Sequence, residues 1–227
     1  MKSTKTKHGL GRSACQDRSE KTRHRLIEVA VEVFADLGYE AASTRTIVER
    51  AQTNLVSIPY YFGSKMGLYN AVAEYIGTNV SEMFRPEVER ARKRLKDSQS
   101  REQTLEGFLE FVIEFARFML GERNPAWGKF VYREQFDPTE AFDIIHLKFV
   151  PMIALGCEYV SSLTGRPANA PETRIKLLAI LAMVKLTRVD RASVLRTMEW
   201  KTFGPEETRI VTDVLTDNVR SLFARSE

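Results

Sequence analysis

Apolar residues recur along this chain with a period near 3.6, and nowhere do they alternate with polar ones between hairpin turns. Leu26, Ile27, Ala30, Val33, Phe34 and Leu37 make one helical stripe. Ile175, Leu178, Ala179, Ala182, Met183 and Leu186 repeat the spacing, as do Ile210, Val211, Val214, Leu215, Val219, Leu222 and Phe223. A chain of 227 residues has length for one large or two small domains. The pattern therefore predicts an all-α fold.

Capping and breaking residues divide that pattern into elements. Ser19 or Thr22 is expected to start a helix over residues 20–37, which Gly38 ends. A short helix from Thr44 to Ala51 should turn Ile47, Val48 and Ala51 inward and Arg45, Glu49 and Arg50 outward. After Gln52-Thr53-Asn54, Asn54 can cap a second short helix reaching about Phe62. Gly63-Ser64 then caps a long helical stretch that opens at Lys65 and is interrupted near Pro86. Residues 102–120 are apolar on nearly every side, which predicts a buried central helix. Gly121 to Pro125 breaks it, and a short segment with Trp127, Phe130 and Val131 leads to Pro138. Residues 139–163 read as a helix kinked at Pro151 and ended by Gly165-Arg166-Pro167.

The net charge of +4 is unevenly placed. Residues 1–25 hold 8 basic and 2 acidic groups, residues 26–70 hold 3 and 5, and residues 71–227 hold 23 of each. A basic arm ahead of a folded domain suits contact with a polyanion, because each neutralised phosphate releases counterions. A solvated tail that only aids solubility has the same composition. No apolar run approaches the roughly 18 residues of a membrane span, and the basic N-terminus lacks a signal-like apolar core. Cys15 and Cys157 form neither a disulfide framework nor a zinc spacing, so a reduced, cytoplasmic protein without membrane contact is expected. A Gly-rich phosphate loop after a strand, HExxH, CxxC and GxSxG are all missing, and His8, His24 and His146 are scattered. No catalytic residue, metal or cofactor is expected.

Residues 44–62 have the form of a helix-turn-helix. Ile58 and Phe62, four apart, would anchor the second helix to the stripe of residues 26–37. Leu55, Val56, Ser57, Pro59, Tyr60 and Tyr61 remain for its other faces, a size that suits a major groove about 12 Å wide. Small apolar groups can touch thymine methyls, Ser57 can bond a base or phosphate, and tyrosine hydroxyls can hold phosphates. Lys65 adds its ammonium and a helix N-terminus to the same backbone. Helix pairs with short turns also occur in all-α domains that never meet nucleic acid.

The order and spacing of further residues narrow the choice. Ile27-Glu28-Val29-Ala30, Phe34 and Leu37-Gly38-Tyr39 are followed by Ser43-Thr44-Arg45-Thr46-Ile47 and Ala51. Then come Ile58-Pro59-Tyr60-Tyr61-Phe62-Gly63-Ser64-Lys65 and Leu68-Tyr69. Across about 50 residues this resembles the DNA-binding domain of the TetR family of bacterial repressors. Gln52-Thr53-Asn54 departs from the common Gly-Val-Ser of that family's turn, and Pro59 stands where an aromatic is common. Pro59 inside a short helix is expected to lose one ladder bond.

Tyr132-Arg133-Glu134-Gln135-Phe136-Asp137-Pro138-Thr139 with Ala141-Phe142-Asp143, and Asp190–Arg196 with Glu199-Trp200, are similar to the CecR-like branch of the same family.

The resemblance implies a basic flexible arm (1–19), a three-helix DNA-binding domain (20–70) and a larger helical domain (71–227) that binds an effector and dimerises. It implies a homodimer on a palindromic double-stranded DNA operator, released by a small molecule. Thr44, Arg45, Tyr60, Tyr61 and Lys65 would hold phosphates, while Asn54, Leu55, Val56, Ser57 and Pro59 complete the DNA surface. Helices near 173–186 and 206–223 would pair across the dimer.

Arg117, Trp127, Arg133, Gln135 and His146, set among apolar stretches, are the candidates for the effector site. Lys185 interrupts an apolar stretch in the same way. The aromatic residues could equally fill a core, and Arg133 could pair with Glu134 or Glu114. A constitutive DNA-binding dimer and an all-α carrier of lipid or another small molecule are the competing readings.

Overall fold

A computed structural model describes residues 10–121 and 124–224, with side chains from residue 17 onward. The described residues form helices without strands: α1 (Leu10–Ala41), α2 (Thr44–Arg50), α3 (Ser57–Phe62), α4 (Lys65–Asp97), α5 (Arg101–Leu120), α6 (Pro125–Phe136), α7 (Glu140–Thr164), α8 (Pro171–Val189), α9 (Arg191–Thr197) and α10 (Pro205–Phe223).

Several boundaries differ from the sequence expectation, each for a physical reason. Helix α1 begins at Leu10, so residues 10–19 of the expected arm are helical; residues 1–9 lie outside the described residues. Neither expected cap starts this helix. The Ser19 hydroxyl donates to the Tyr61 oxygen at 3.1 Å, and Thr22 donates back to the Arg18 carbonyl. Gly38 takes φ 77°, a backbone region that suits glycine, and kinks the last turn. Leu37 is 47% exposed although it falls on the expected stripe, whereas Val31 and Ala35, off that stripe, are buried. Helices α4 and α7 run on through Pro86 and Pro151, since a proline removes one ladder bond without ending a long helix whose other bonds persist. Helix α9, a seven-residue helix without a buried residue, has no counterpart in the sequence pattern.

The chain groups into two compact units. The first comprises Met1–Asn79 and Asn124–Leu147; the second comprises Val80–Arg123 and Lys148–Glu227. Helix α6 and the start of α7, expected with the C-terminal domain, thus group with the N-terminal helices. The reason is a set of specific bonds. Arg133 donates from Nε to the Ala35 carbonyl at 3.0 Å and from Nη2 to the Asp36 carbonyl at 2.8 Å, satisfying acceptors just ahead of the α1 kink. The Tyr69 hydroxyl donates to Glu134 Oε1 at 2.6 Å, and Thr139 donates its N–H and O–H to Glu134 Oε2 at 3.0 and 2.9 Å.

Tyr69 is the hub of the first unit. Its ring meets Phe34, Tyr39 and Phe130 at centroid distances of 4.8, 5.0 and 4.7 Å. Burial and the bond to Glu134 push its phenol well above the ordinary tyrosine range.

The second unit packs around α5, which buries Leu105, Phe108, Phe111, Val112 and Phe115 as its apolar circumference requires. Ser100 caps it by accepting from the Gln103 N–H at 3.1 Å. The Tyr159 hydroxyl donates to the Ala91 carbonyl at 2.6 Å, and desolvation raises its pKa to about 12. Helix α7 is long and apolar enough, by length and composition, to cross a membrane, although the sequence offers no unbroken apolar run of that length. Its Leu155, Tyr159, Val160 and Leu163 belong to the core of this unit.

Candidate nucleic-acid interface

The helix-turn-helix is built from the residues expected to form it. Ser43 caps α2 by accepting from the Thr46 N–H at 3.0 Å, and Ile47, Val48 and Ala51 are buried. Gln52 carries the turn at φ 51°, a left-handed conformation available to glycine without strain and adopted here by a side-chain-bearing residue. Asn54 Oδ1 accepts from the Ser57 N–H and from the Ser57 hydroxyl, both at 3.1 Å, and so anchors the start of α3.

Pro59 loses less than expected. It sits in the first turn of α3, where a backbone N–H has no partner within the helix anyway, and Tyr60 N–H still reaches the Val56 carbonyl at 3.1 Å. Gly63, at φ 76°, closes α3, and the Ser64 hydroxyl caps α4 by accepting from the Gly67 N–H at 3.0 Å.

One face of α3 is fixed and the rest is presented. Ile58 is buried, while Leu55, Val56 and Tyr60 are 55%, 70% and 75% exposed. Ser57, at the N-terminal end of α3, is half-buried, as are Tyr61 and the second expected anchor, Phe62, whereas Asn54 and Pro59 are exposed. Tyr61 packs edge-on against Tyr60 and receives the Ser19 hydrogen bond, which ties α3 to α1. Around this tip lie the cationic groups. Arg45 donates from Nε to Glu49 at 2.9 Å, an exposed pair worth only about 0.3–0.5 kcal/mol, less than a charge-assisted bond to phosphate. The half-buried Lys65 donates to the Glu40 carbonyl at 3.2 Å and lies 4.5 Å above the Tyr39 ring. Its ammonium has three donors, so this bond does not exhaust it. Thr44, half-buried, opens α2.

Gly67 keeps α3 and α4 in register. A Cβ there would stand 1.9 Å from the Phe62 carbonyl oxygen, a contact that backbone must move to relieve. Gly67→Ala is expected to lower stability by about 1–3 kcal/mol and to weaken DNA binding; urea unfolding and a binding titration check the two effects.

The effector candidates are distributed over both units. Arg117 bonds Glu114 and lines a cleft of about 520 Å³ in the second unit, with Arg94, Glu110 and Phe111 also in its walls. In the first unit, Trp127 meets Tyr75 edge-on at 5.9 Å, and His146 is exposed and stacked on Phe142 at 5.7 Å. Gln135 is exposed. Arg133 is committed to the Ala35 and Asp36 carbonyls rather than to Glu134 or Glu114.

From the sequence alone Glu134 is a candidate ion-pair partner of Arg133 and nothing more. Its place four residues after buried Phe130, on the inner face of α6, is the available sign of its burial.

Helices α8 and α10 each carry two apolar faces. Leu177, Ile180, Leu181 and Val184 point into the core, while Ile175, Leu178, Leu186 and Val189 are 64%, 44%, 56% and 47% exposed. On α10, Leu215, Val219 and Phe223 are buried, and Val214 and Leu222 are exposed. Asn218 of α10 approaches the Met183 sulfur of α8 at 3.7 Å, so the two outer stripes lie side by side. Lys185 also faces outward, and partial desolvation lowers its pKa.

Known proteins share this organisation. A family model described as bacterial regulatory proteins, tetR family, matches residues 26–72. Another, described as the C-terminal domain of the HTH-type transcriptional dual regulator CecR, matches residues 102–224, more than half of the chain. The chain belongs to the TetR family, in its CecR branch. It is a DNA-binding transcriptional regulator. The dual regulator CecR of Shigella flexneri is 28% identical to it over 204 residues, covering 89% of this chain and 91% of that protein. Among solved structures, AibR in complex with isovaleryl coenzyme A and operator DNA aligns with TM-score 0.58 at 14% identity, covering 89% of this chain and 98% of that one. The hemolysin II regulator HlyIIR aligns with TM-score 0.55 at 17% identity, covering 92% and 99%. At those identities the likeness is one of fold.

Proposed function

We propose that the regulator is a homodimeric repressor that occupies a pseudo-palindromic operator and leaves it when a small molecule binds the C-terminal helices. The carrying observation is the helix-turn-helix tip, where Ile58 is locked in and Leu55, Val56 and Tyr60 stand out at more than half exposure. Asn54, Leu55, Val56, Ser57 and Pro59 face the groove, and Thr44, Arg45, Tyr60, Tyr61 and Lys65 hold the flanking phosphates. The outer stripes of α8 and α10 pair with their copies across the two-fold axis, around residues 173–186 and 206–223.

Arg117 is the effector candidate with a cleft beside it; a ligand there needs only about 1–3 kcal/mol of preference for the unbound state to weaken operator binding fivefold or more. Trp127, Gln135 and His146 remain candidates, while the two carbonyl bonds of Arg133 favour a structural duty for it. The protein acts by binding rather than turnover, in the cytoplasm where the chromosome lies.

Selection of bound fragments from the DNA around its own gene, at several salt concentrations, tests the reading. A preferred site with two related halves is expected, and binding without sequence preference contradicts it. The basic residues of the N-terminus supply a separable prediction. Replacing Lys2, Lys5, Lys7 and Arg12 with glutamine should flatten the dependence of log affinity on log salt by about 0.9 for each phosphate left without its cation. The site chosen should stay the same.

A further inference from the structure

The groups at the helix-turn-helix tip are not equally available to a base. Asn54 spends its side-chain oxygen on both the N–H and the hydroxyl of Ser57, so the two short polar side chains of the tip are bonded to each other. Tyr61, Arg45 and Lys65 are held by Ser19, Glu49 and the Glu40 carbonyl in bonds that leave each a donor for phosphate and fix where it stands. Apart from Tyr60, at 75% exposure and assigned here to phosphate, the large side chains that the tip presents are apolar: Leu55 and Val56 at 55% and 70% exposure, beside exposed Pro59. A valine and a leucine left in water at a folded surface gain most from a hydrocarbon contact, and in a major groove the apolar feature of a base pair is the thymine C5-methyl.

We infer that this regulator recognises its operator through thymine methyl groups, read by Leu55, Val56 and Pro59, rather than through hydrogen bonds to purine edges. The inference rests on the operator-binding reading above and specifies which chemical feature of the operator is read. Arg45, Lys65 and the tyrosine hydroxyls then position the head on phosphates and carry little sequence information.

Two base analogues separate the possibilities on the selected operator. Deoxyuridine in place of thymidine removes the methyl and keeps every hydrogen-bonding group, whereas 7-deazapurines remove the N7 acceptor that arginine, asparagine or glutamine would use. Burial of one methyl corresponds to about fourfold in affinity, so loss of one in each half-site should weaken binding about fifteenfold. Substitution by 7-deazapurines should change affinity less than about twofold. Val56→Ala should bind the thymidine and deoxyuridine operators with nearly equal affinity. A uracil operator bound as tightly as the thymine one, or a 7-deazapurine loss larger than the uracil loss, overturns the inference while leaving sequence-specific binding intact. Selection that yields no preferred sequence overturns the operator-binding reading itself.

Discussion

Leu178→Asp together with Leu186→Asp is expected to convert the regulator to monomers and to lower its affinity for a two-half-site operator by about a hundredfold or more. Both leucines stand on the outer stripe of α8, 44% and 56% exposed, while the opposite face of that helix is committed to the core through Leu177, Ile180, Leu181 and Val184. The substitutions therefore leave the fold of the second unit largely alone. In a dimer they would bury carboxylates without partners against their own copies, at a cost of several kcal/mol. The loss on DNA follows from avidity, because a monomer grips one half-site and forfeits the effective concentration that linkage provides. Sedimentation equilibrium and a titration on full and half operators read the two effects separately. A double variant that remains dimeric would place the interface elsewhere.

Glu134→Ala should lower stability by about 3 kcal/mol or more, the sum expected from stranded partners and a cavity. The side chain is 1% exposed, and both of its oxygens accept hydrogen bonds. Its removal strands the buried Tyr69 hydroxyl and the Thr139 amide, each costing about 1–3 kcal/mol, and leaves a hole under α6. Glu134→Gln keeps the volume and one acceptor oxygen, so it should lose less. Because Tyr69 also holds Phe34, Tyr39 and Phe130, loosening it reaches the helix that follows the DNA-reading elements. Urea unfolding of the two variants checks this ordering, and losses below about 0.5 kcal/mol for both would contradict it.

The all-α class is legible because apolar spacing of 3.6 leaves little choice of partner geometry, and Asn54, Gly63 and Ser64 act at the positions their chemistry suggests. Periodicity locates α8 but not its orientation. The stripe of Ile175, Leu178, Ala182 and Leu186 is real, yet it faces outward, because a second stripe through Leu177, Ile180 and Val184 takes the core. A helix apolar on two sides does not declare which side the chain itself will cover. The long-range bonds are illegible for a different reason. Nothing local to Arg133 indicates that the carbonyls of Ala35 and Asp36, far earlier in the chain, would claim its guanidinium. Polar interruption of an apolar run, the criterion behind the effector candidates, finds structural anchors such as Arg133 as readily as ligand contacts. The basic excess is confined to residues 1–25, and of these residues 1–9 lie outside the described residues.

Hydroxyl-radical footprinting on the selected operator tests most directly whether a two-fold dimer reads a two-fold site. Two protected tracts related by a two-fold axis are expected, with centres about 10–10.5 base pairs or a multiple apart. Both should vanish in the Leu178→Asp, Leu186→Asp variant at concentrations that saturate the wild type. A single unsymmetrical tract, or protection that survives in the monomeric variant at wild-type concentrations, would contradict a dimeric reader.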